Sequence, residues 1–320
     1  MTDSVIQSQI KVTGDCPRVQ KWMRFLIWKI TIATLLLMAV GSATRVMNAG
    51  LACPDWPLCY GQLVPSQQMN LQVFLEWFHR LDASLIGLST LVLVGLSWWF
   101  RKELPKWLPW ASVSALGLIV FQGVLGGLTV TQLLRFDIVT AHLGTALLFL
   151  GTLIVIAVCL IPYQGTTNAK KLSWGATIAV TLVYLQCLLG ALVGSRWAVH
   201  QCFGGSQLCA VMNSHIIGVF PATVATLSVV FIAWRTSALH PWLRKLAWVT
   251  GGIVALQILL GVATFRLHLQ VEPLTVAHHT CGAALFGTLV ALTTLAIRDV
   301  RSSSLPCGAN AQKLEVRSQN

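Results

Sequence analysis

The chain has 320 residues, of which 55% are hydrophobic and only 10% charged, with a mean hydropathy of +0.72. A soluble domain carries about 25% charged residues, so this composition excludes a water-coated globular protein. The formal net charge of +12 would suit nucleic acid, but its distribution along the chain excludes that reading too.

In chain order, a polar leader of residues 1–20 comes first. It contains Asp3 and Asp15 and is not rich in arginine, and the apolar run after it is longer than a cleavable signal. That run is therefore expected to be a retained helix. Apolar stretches of about 20 residues mark membrane spans. Eight are predicted, near residues 24–44, 77–99, 108–131, 139–161, 172–194, 214–234, 243–265 and 275–297. A polar tail of residues 299–320 closes the chain.

Basic residues alternate between the two sides. The leader, the even connections and the tail hold Lys11, Arg18, Lys21, Arg24, Arg101, Lys102, Lys106, Lys170, Lys171, Arg235, Arg244, Lys245, Arg298, Arg301, Lys313 and Arg317. The other side has single arginines only: Arg45, Arg80, Arg135, Arg196 and Arg266. The positive-inside rule then predicts that both termini are cytoplasmic. The basic charge is topological information, and no nucleic-acid partner is expected.

The second four spans repeat the first. Val139-Thr-Ala-His142-Leu-Gly in span 4 matches Thr275-Val-Ala-His278-His-Thr in span 8. Phe121-Gln122 with Gly126 in span 3 matches Leu256-Gln257 with Gly261 in span 7, and span 5 has a related Gln186 and Gly190. Four spans per copy give both copies the same orientation, related by an axis along the membrane normal. The expected fold is an all-α integral membrane protein of two pseudo-symmetric four-helix bundles, residues 21–165 and 166–298, with sites in their cores.

Four histidines follow the repeat. His79 and His142 are 63 residues apart, as are His215 and His278. Each lies near the outer end of an even-numbered span. A histidine inside a membrane helix is costly and marks function, and neutral imidazole is a common axial ligand of haem iron. Each pair is expected to clamp one haem. Zinc fits less well, because no carboxylate or cysteine completes a four-ligand set. His279 points about 100° away from His278 on a helix, and the match of Ala141-His142 with Ala277-His278 favours His278 as ligand. Sites at similar depth suit chemistry at the outer face better than conduction across the membrane.

The halves differ before the first ligand. Glu76 precedes His79 by three residues, where Met212 precedes His215. Residues at that spacing share a helix face, which makes Glu76 the candidate catalytic base or charge stabiliser. A salt bridge of Glu76 or Asp82 with Arg80 is the structural alternative. The outer arginines suit haem propionates or, equally, snorkelling to the interface. Cys53–Cys59 and Cys202–Cys209 are short pairs on the oxidising side, where disulfides form. The second pair reads as a staple; the first, close to Glu76, also suits redox exchange.

Taken together, Glu76-Trp-Phe-His79-Arg80, Ala141-His142, Asn213-Ser-His215, Ala277-His278 and Cys53-Pro-Asp-Trp-Pro-Leu-Cys59 resemble the haem A synthase family of bacterial membranes, along all eight spans. The resemblance implies oxidation of a ring methyl of haem O to a formyl group by successive hydroxylations. It implies haem B on His215 and His278, and the substrate haem near His79, His142, Arg80 and Glu76. It further implies the bacterial plasma membrane, an electron donor of unknown identity, contact with the haem O synthase that supplies the substrate, and a homo-oligomer. A dihaem electron carrier linked to quinol is the rival reading, and a transporter is a weaker third.

Overall fold

The computed structural model describes residues 18–194 and 209–301. Eight helices make up the described chain: α1 (Arg18–Val46), α2 (Leu71–Trp99), α3 (Leu108–Thr131), α4 (Phe136–Cys159), α5 (Lys170–Val193), α6 (Cys209–Arg235), α7 (Pro241–Arg266) and α8 (Glu272–Arg301). Each is long and apolar enough to cross a membrane. The expected spans all appear, most extended by a few polar residues beyond the apolar run.

Local chemistry sets the ends. Asn70 caps α2 by accepting from the Val73 N–H, and His240 caps α7 by accepting from the Trp242 N–H. Pro109 and Pro241 occupy the first turns of α3 and α7, where a missing N–H costs nothing. Both helices end in two-residue left-handed turns, Leu133-Leu134 and His268-Leu269. These reverse the chain into α4 and α8. Pro221 lies inside α6 without dividing it.

Helices α1–α4 form a ring in which each packs on its neighbours, and α5–α8 form a second ring. The rings share a seam where α4 meets α8 and α5, and α8 meets α1. This explains why 61% of the apolar window of α4 and 56% of that of α8 is buried, against 22% or less elsewhere. One face of α4, with Phe149, Leu153 and Ile156, joins the core of the first ring. Its other face, with Leu147, Leu150 and Ile154, joins the core of the second. Gly151 and Gly287 let the two central helices approach closely: a Cβ on either would lie 3.4 Å from Phe286 or 3.0 Å from Ile154. Small residues at such crossings supply the packing that drives association in lipid.

The link between the rings is held from α8. Asp299 is fully buried and accepts from the Tyr163 hydroxyl, the Thr166 N–H and the Ala169 N–H. Arg298 donates to the carbonyls of Val158 and Ile161. Burial and the adjacent Asp299 push the Tyr163 hydroxyl pKa up.

Candidate functional site

Helices α2, α4, α6 and α8 each carry their histidine about two turns after the start, so His79, His142, His215 and His278 come to the same end of the molecule. Within each ring the two rings of imidazole are near enough to interact electrostatically, His79 with His142 and His215 with His278.

Each imidazole is seated on a glycine of the preceding helix. A Cβ on Gly41 would lie 2.8 Å from His79 Cε1, and one on Gly190 would lie 3.0 Å from His215 Cε1. The values are 3.4 Å for Gly126 against His142 and 2.9 Å for Gly261 against His278. Four histidines thus share one local design. Gly126, Gly190 and Gly261 were visible in the repeat; Gly41 was not, because α1 resembles α5 too weakly in sequence.

Glutamines support three of the four. Gln122 Nε2 donates to the His142 carbonyl at 2.9 Å. Gln186 Nε2 lies 2.7 Å from the His215 carbonyl and 3.0 Å from its Nδ1. Gln257 Nε2 is 3.5 Å from His278 Nε2. The Nδ1 atoms of His79, His142 and His278 are buried without a hydrogen-bond partner among the described residues. Among the described residues there is also no group of three or more His, Cys, Asp and Glu placed to hold a bare metal ion. Two imidazoles per ring, buried and seated on small residues with a backbone carbonyl beside each, are donors of the kind that would hold a haem iron.

Glu76 and Arg80 lie one turn apart on α2, beside His79. Glu76 is only 4% exposed. One carboxylate oxygen takes Arg80 Nη2 at 2.6 Å, and the other accepts the Cys53 N–H at 2.8 Å. The guanidinium also donates to the carbonyls of Asp55 and Leu58 at 2.7 and 2.6 Å. Of the two pairings open to Arg80 in the sequence, the structure has the one with Glu76. Its donors here turn to the 53–59 loop.

That loop is a built cover. Cys53 and Cys59 form a disulfide and are both buried. Asp55 accepts from the Tyr60 and Gly61 N–H groups, and the Gly61 bond holds its carboxyl below the usual range. Trp77 Nε1 donates to the Leu63 carbonyl at 2.8 Å. Trp56 lies over Gly127 of α3, where a Cβ would come within 3.2 Å of the indole. Nothing in the sequence paired Trp56 with Gly127; the contact depends on how the loop folds back.

Two of the other outer arginines find protein partners. Arg135 pairs with Asp137 at 2.7 Å, and Arg45 Nη2 donates to the Gly194 carbonyl at 3.0 Å. Arg196, Cys202 and the side chain of Cys209 lie outside the described residues, and with them the second cysteine pair. His279 faces away from His278 toward α1, with Nδ1 2.8 Å from Ser42 Oγ. Two open grooves of about 590 and 600 Å³ lie on the seam, around Val155, Cys159, Val180 and Val290, away from all four ligand histidines.

Residues 24–290 match a family described as cytochrome oxidase assembly protein. Among curated proteins, the chain is 29% identical to the Heme A synthase of Shewanella oneidensis, over 83% of this chain and 95% of that protein. It is 26% identical to the Heme A synthase of Caulobacter vibrioides, over 83% and 94% of the two chains. For the Heme A synthase of Erythrobacter litoralis the values are 25%, 81% and 92%.

Proposed function

Since the chain belongs to the cytochrome oxidase assembly protein family, we propose that it is a haem A synthase, a membrane oxidoreductase that converts haem O to haem A. The observation that carries this reading is the fourfold seating of histidine on glycine, two sites in two rings, with a buried carboxylate, among the described residues, beside the first of them.

In this reading residues 21–165 form the substrate half and residues 166–298 the cofactor half. His79 and His142 hold haem O by its iron. His215 and His278 hold haem B. The resident haem supplies one-electron chemistry when bound. Both termini lie on the cytoplasmic side of a bacterial plasma membrane, because the basic connections lie there. The four histidines then sit toward the outer face.

The protein's own groups do the rest. The glycines fix the distance between each imidazole and its helix wall. The 53–59 loop covers the end of the first ring and limits water at the reacting carbon. Glu76 is the catalytic base: as the doubly hydroxylated methyl carbon becomes a formyl group, it takes the proton of one hydroxyl and returns it to the other, which leaves as water. Arg80 and the Cys53 N–H orient that carboxylate, so the base and the cover form one hydrogen-bonded unit. The substrate reaches the site from the haem O synthase, and each hydroxylation takes one oxygen atom from dioxygen while a donor's two electrons and two protons carry the other away as water.

The test is pigment extraction from a host that makes haem O. Wild type should yield haem A with haem B. Glu76→Gln keeps an oxygen for the Cys53 N–H and should retain haem while forming no haem A. Wild-type haem A from this variant would remove Glu76 from the chemistry, and haem B alone in the wild type would favour a dihaem electron carrier.

A further inference from the structure

The two sites are joined by a short path through the seam. His279 follows His278 on α8, and its Nδ1 lies 2.8 Å from Ser42 Oγ on α1. Ser42 follows Gly41, the residue whose backbone seats the His79 imidazole. One hydrogen bond and two peptide steps therefore connect a ligand of the second site to the wall of the first.

The repeat provides this path only once. In the repeat that aligns Gly41 with Gly190 and His142 with His278, Ser42 corresponds to Ala191 and His279 to Leu143. Neither of these side chains can hydrogen-bond, so α5 and α4 lack this contact and are joined instead by Tyr184 Oη, which donates to the Gly144 carbonyl at 3.4 Å. Around His279 the contact is reinforced. Arg45, three residues after Ser42, donates to the Gly194 carbonyl of α5 at 3.0 Å, and a Cβ on Gly194 would lie 3.7 Å from His279 Cε1. Helices α1, α5 and α8 thus converge on this one imidazole. A polar contact in apolar surroundings is kept because each partner would otherwise be left unsatisfied.

We propose that the Ser42–His279 hydrogen bond is a positioning contact between the two haem sites, setting the orientation of His278 and the seat of His79 together. It rests on the reading that His215 and His278 hold haem. Outer partners of ligating histidines fix ring orientation and tune the metal. Here the hold comes from the other half of the molecule and acts on the residue next to the ligand, through the α8 backbone. Rotation or shift of α8 at His279 moves α1 at Gly41, and the reverse.

The experiment uses the full chain purified with its haems. Electron paramagnetic resonance reads the low-spin signal of the second site, redox titration its midpoint potential, and a thermal melt the fold. Ser42→Ala and His279→Leu should shift both readings with haem retained; Ser42→Thr and His279→Gln, which keep a hydrogen bond, should restore them. Gly41→Ala, in the first site, should also shift the second-site signal, and should fail to do so when Ser42→Ala is present. A haem-loaded protein whose signal and potential ignore Ser42→Ala and His279→Leu would overturn the coupling alone. A wild type that purifies without haem would overturn the site assignment and the coupling with it.

Discussion

The seating of each histidine on a glycine can be tested as a graded series. Adding one methyl group brings a Cβ to 2.8 Å from His79 in Gly41→Ala, 2.9 Å from His278 in Gly261→Ala, 3.0 Å from His215 in Gly190→Ala and 3.4 Å from His142 in Gly126→Ala. Ordinary contact begins at 3.4 Å, so the imidazoles must retreat by about 0.6, 0.5 and 0.4 Å in the first three and not at all in the fourth. A ligand constellation tolerates displacement of about 0.5 Å, and overpacking a fitted interior costs about 1–3 kcal/mol. Expressed as haem binding, that is about a 5- to 150-fold loss of affinity. Haem content per polypeptide and the low-spin absorption spectrum measure it. Gly41→Ala should empty the first site and Gly261→Ala the second, while Gly126→Ala keeps both. Full occupancy in Gly261→Ala, or a loss in Gly126→Ala as large as in Gly41→Ala, would refute the idea that these glycines set the ligand position.

Two further predictions concern the supports around the sites. Asp299→Ala strips a buried acceptor from the Tyr163 hydroxyl and the Thr166 and Ala169 N–H groups; leaving such donors unsatisfied costs about 1–3 kcal/mol each, so the melting temperature in detergent should fall clearly, and an unchanged melt would show that the link does not depend on α8. Gly127→Leu should push Trp56 off α3 and raise proteolytic cleavage in the 53–64 segment, whereas cleavage at the wild-type rate would mean that this contact does not hold the loop.

Much of this architecture is visible in the sequence because membrane helices are written in apolar length, and all eight spans are. The histidines are visible because the repeat places them twice. Helix ends are less so: α2 begins at Leu71, since a helix continues into polar residues once a cap such as Asn70 satisfies its first N–H groups. What stays hidden is tertiary. Glu76 was marked by its place before His79, but its bond to the Cys53 N–H needs the loop to fold back over α2. Gly41 and Ser42 carry no motif, and their meaning comes only from the helices that pack against α1.

The repeat also breaks at a position that bears on how the two sites differ. Gln186 Nε2 of α5 donates to the His215 carbonyl and so fixes that turn of α6, and the aligned residue of α1 is Leu37, whose side chain has no donor to offer. The His79 imidazole has the Leu37 backbone carbonyl beside it but no side-chain amide from α1 to fix its turn of helix. A ligating histidine whose surroundings hold it in place binds its metal more tightly, by about 10- to 100-fold. A site for a resident cofactor benefits from that grip; a site that must release its product after each turnover does not. Haem on His79 and His142 should therefore leave the purified protein for an excess of a haem-scavenging apoprotein faster than haem on His215 and His278. Leu37→Gln should slow the faster phase, and Gln186→Leu should speed the slower one. Two equal phases in the wild type, or a faster phase that ignores Leu37→Gln, would show that this glutamine does not distinguish the site that keeps its haem from the one that exchanges it.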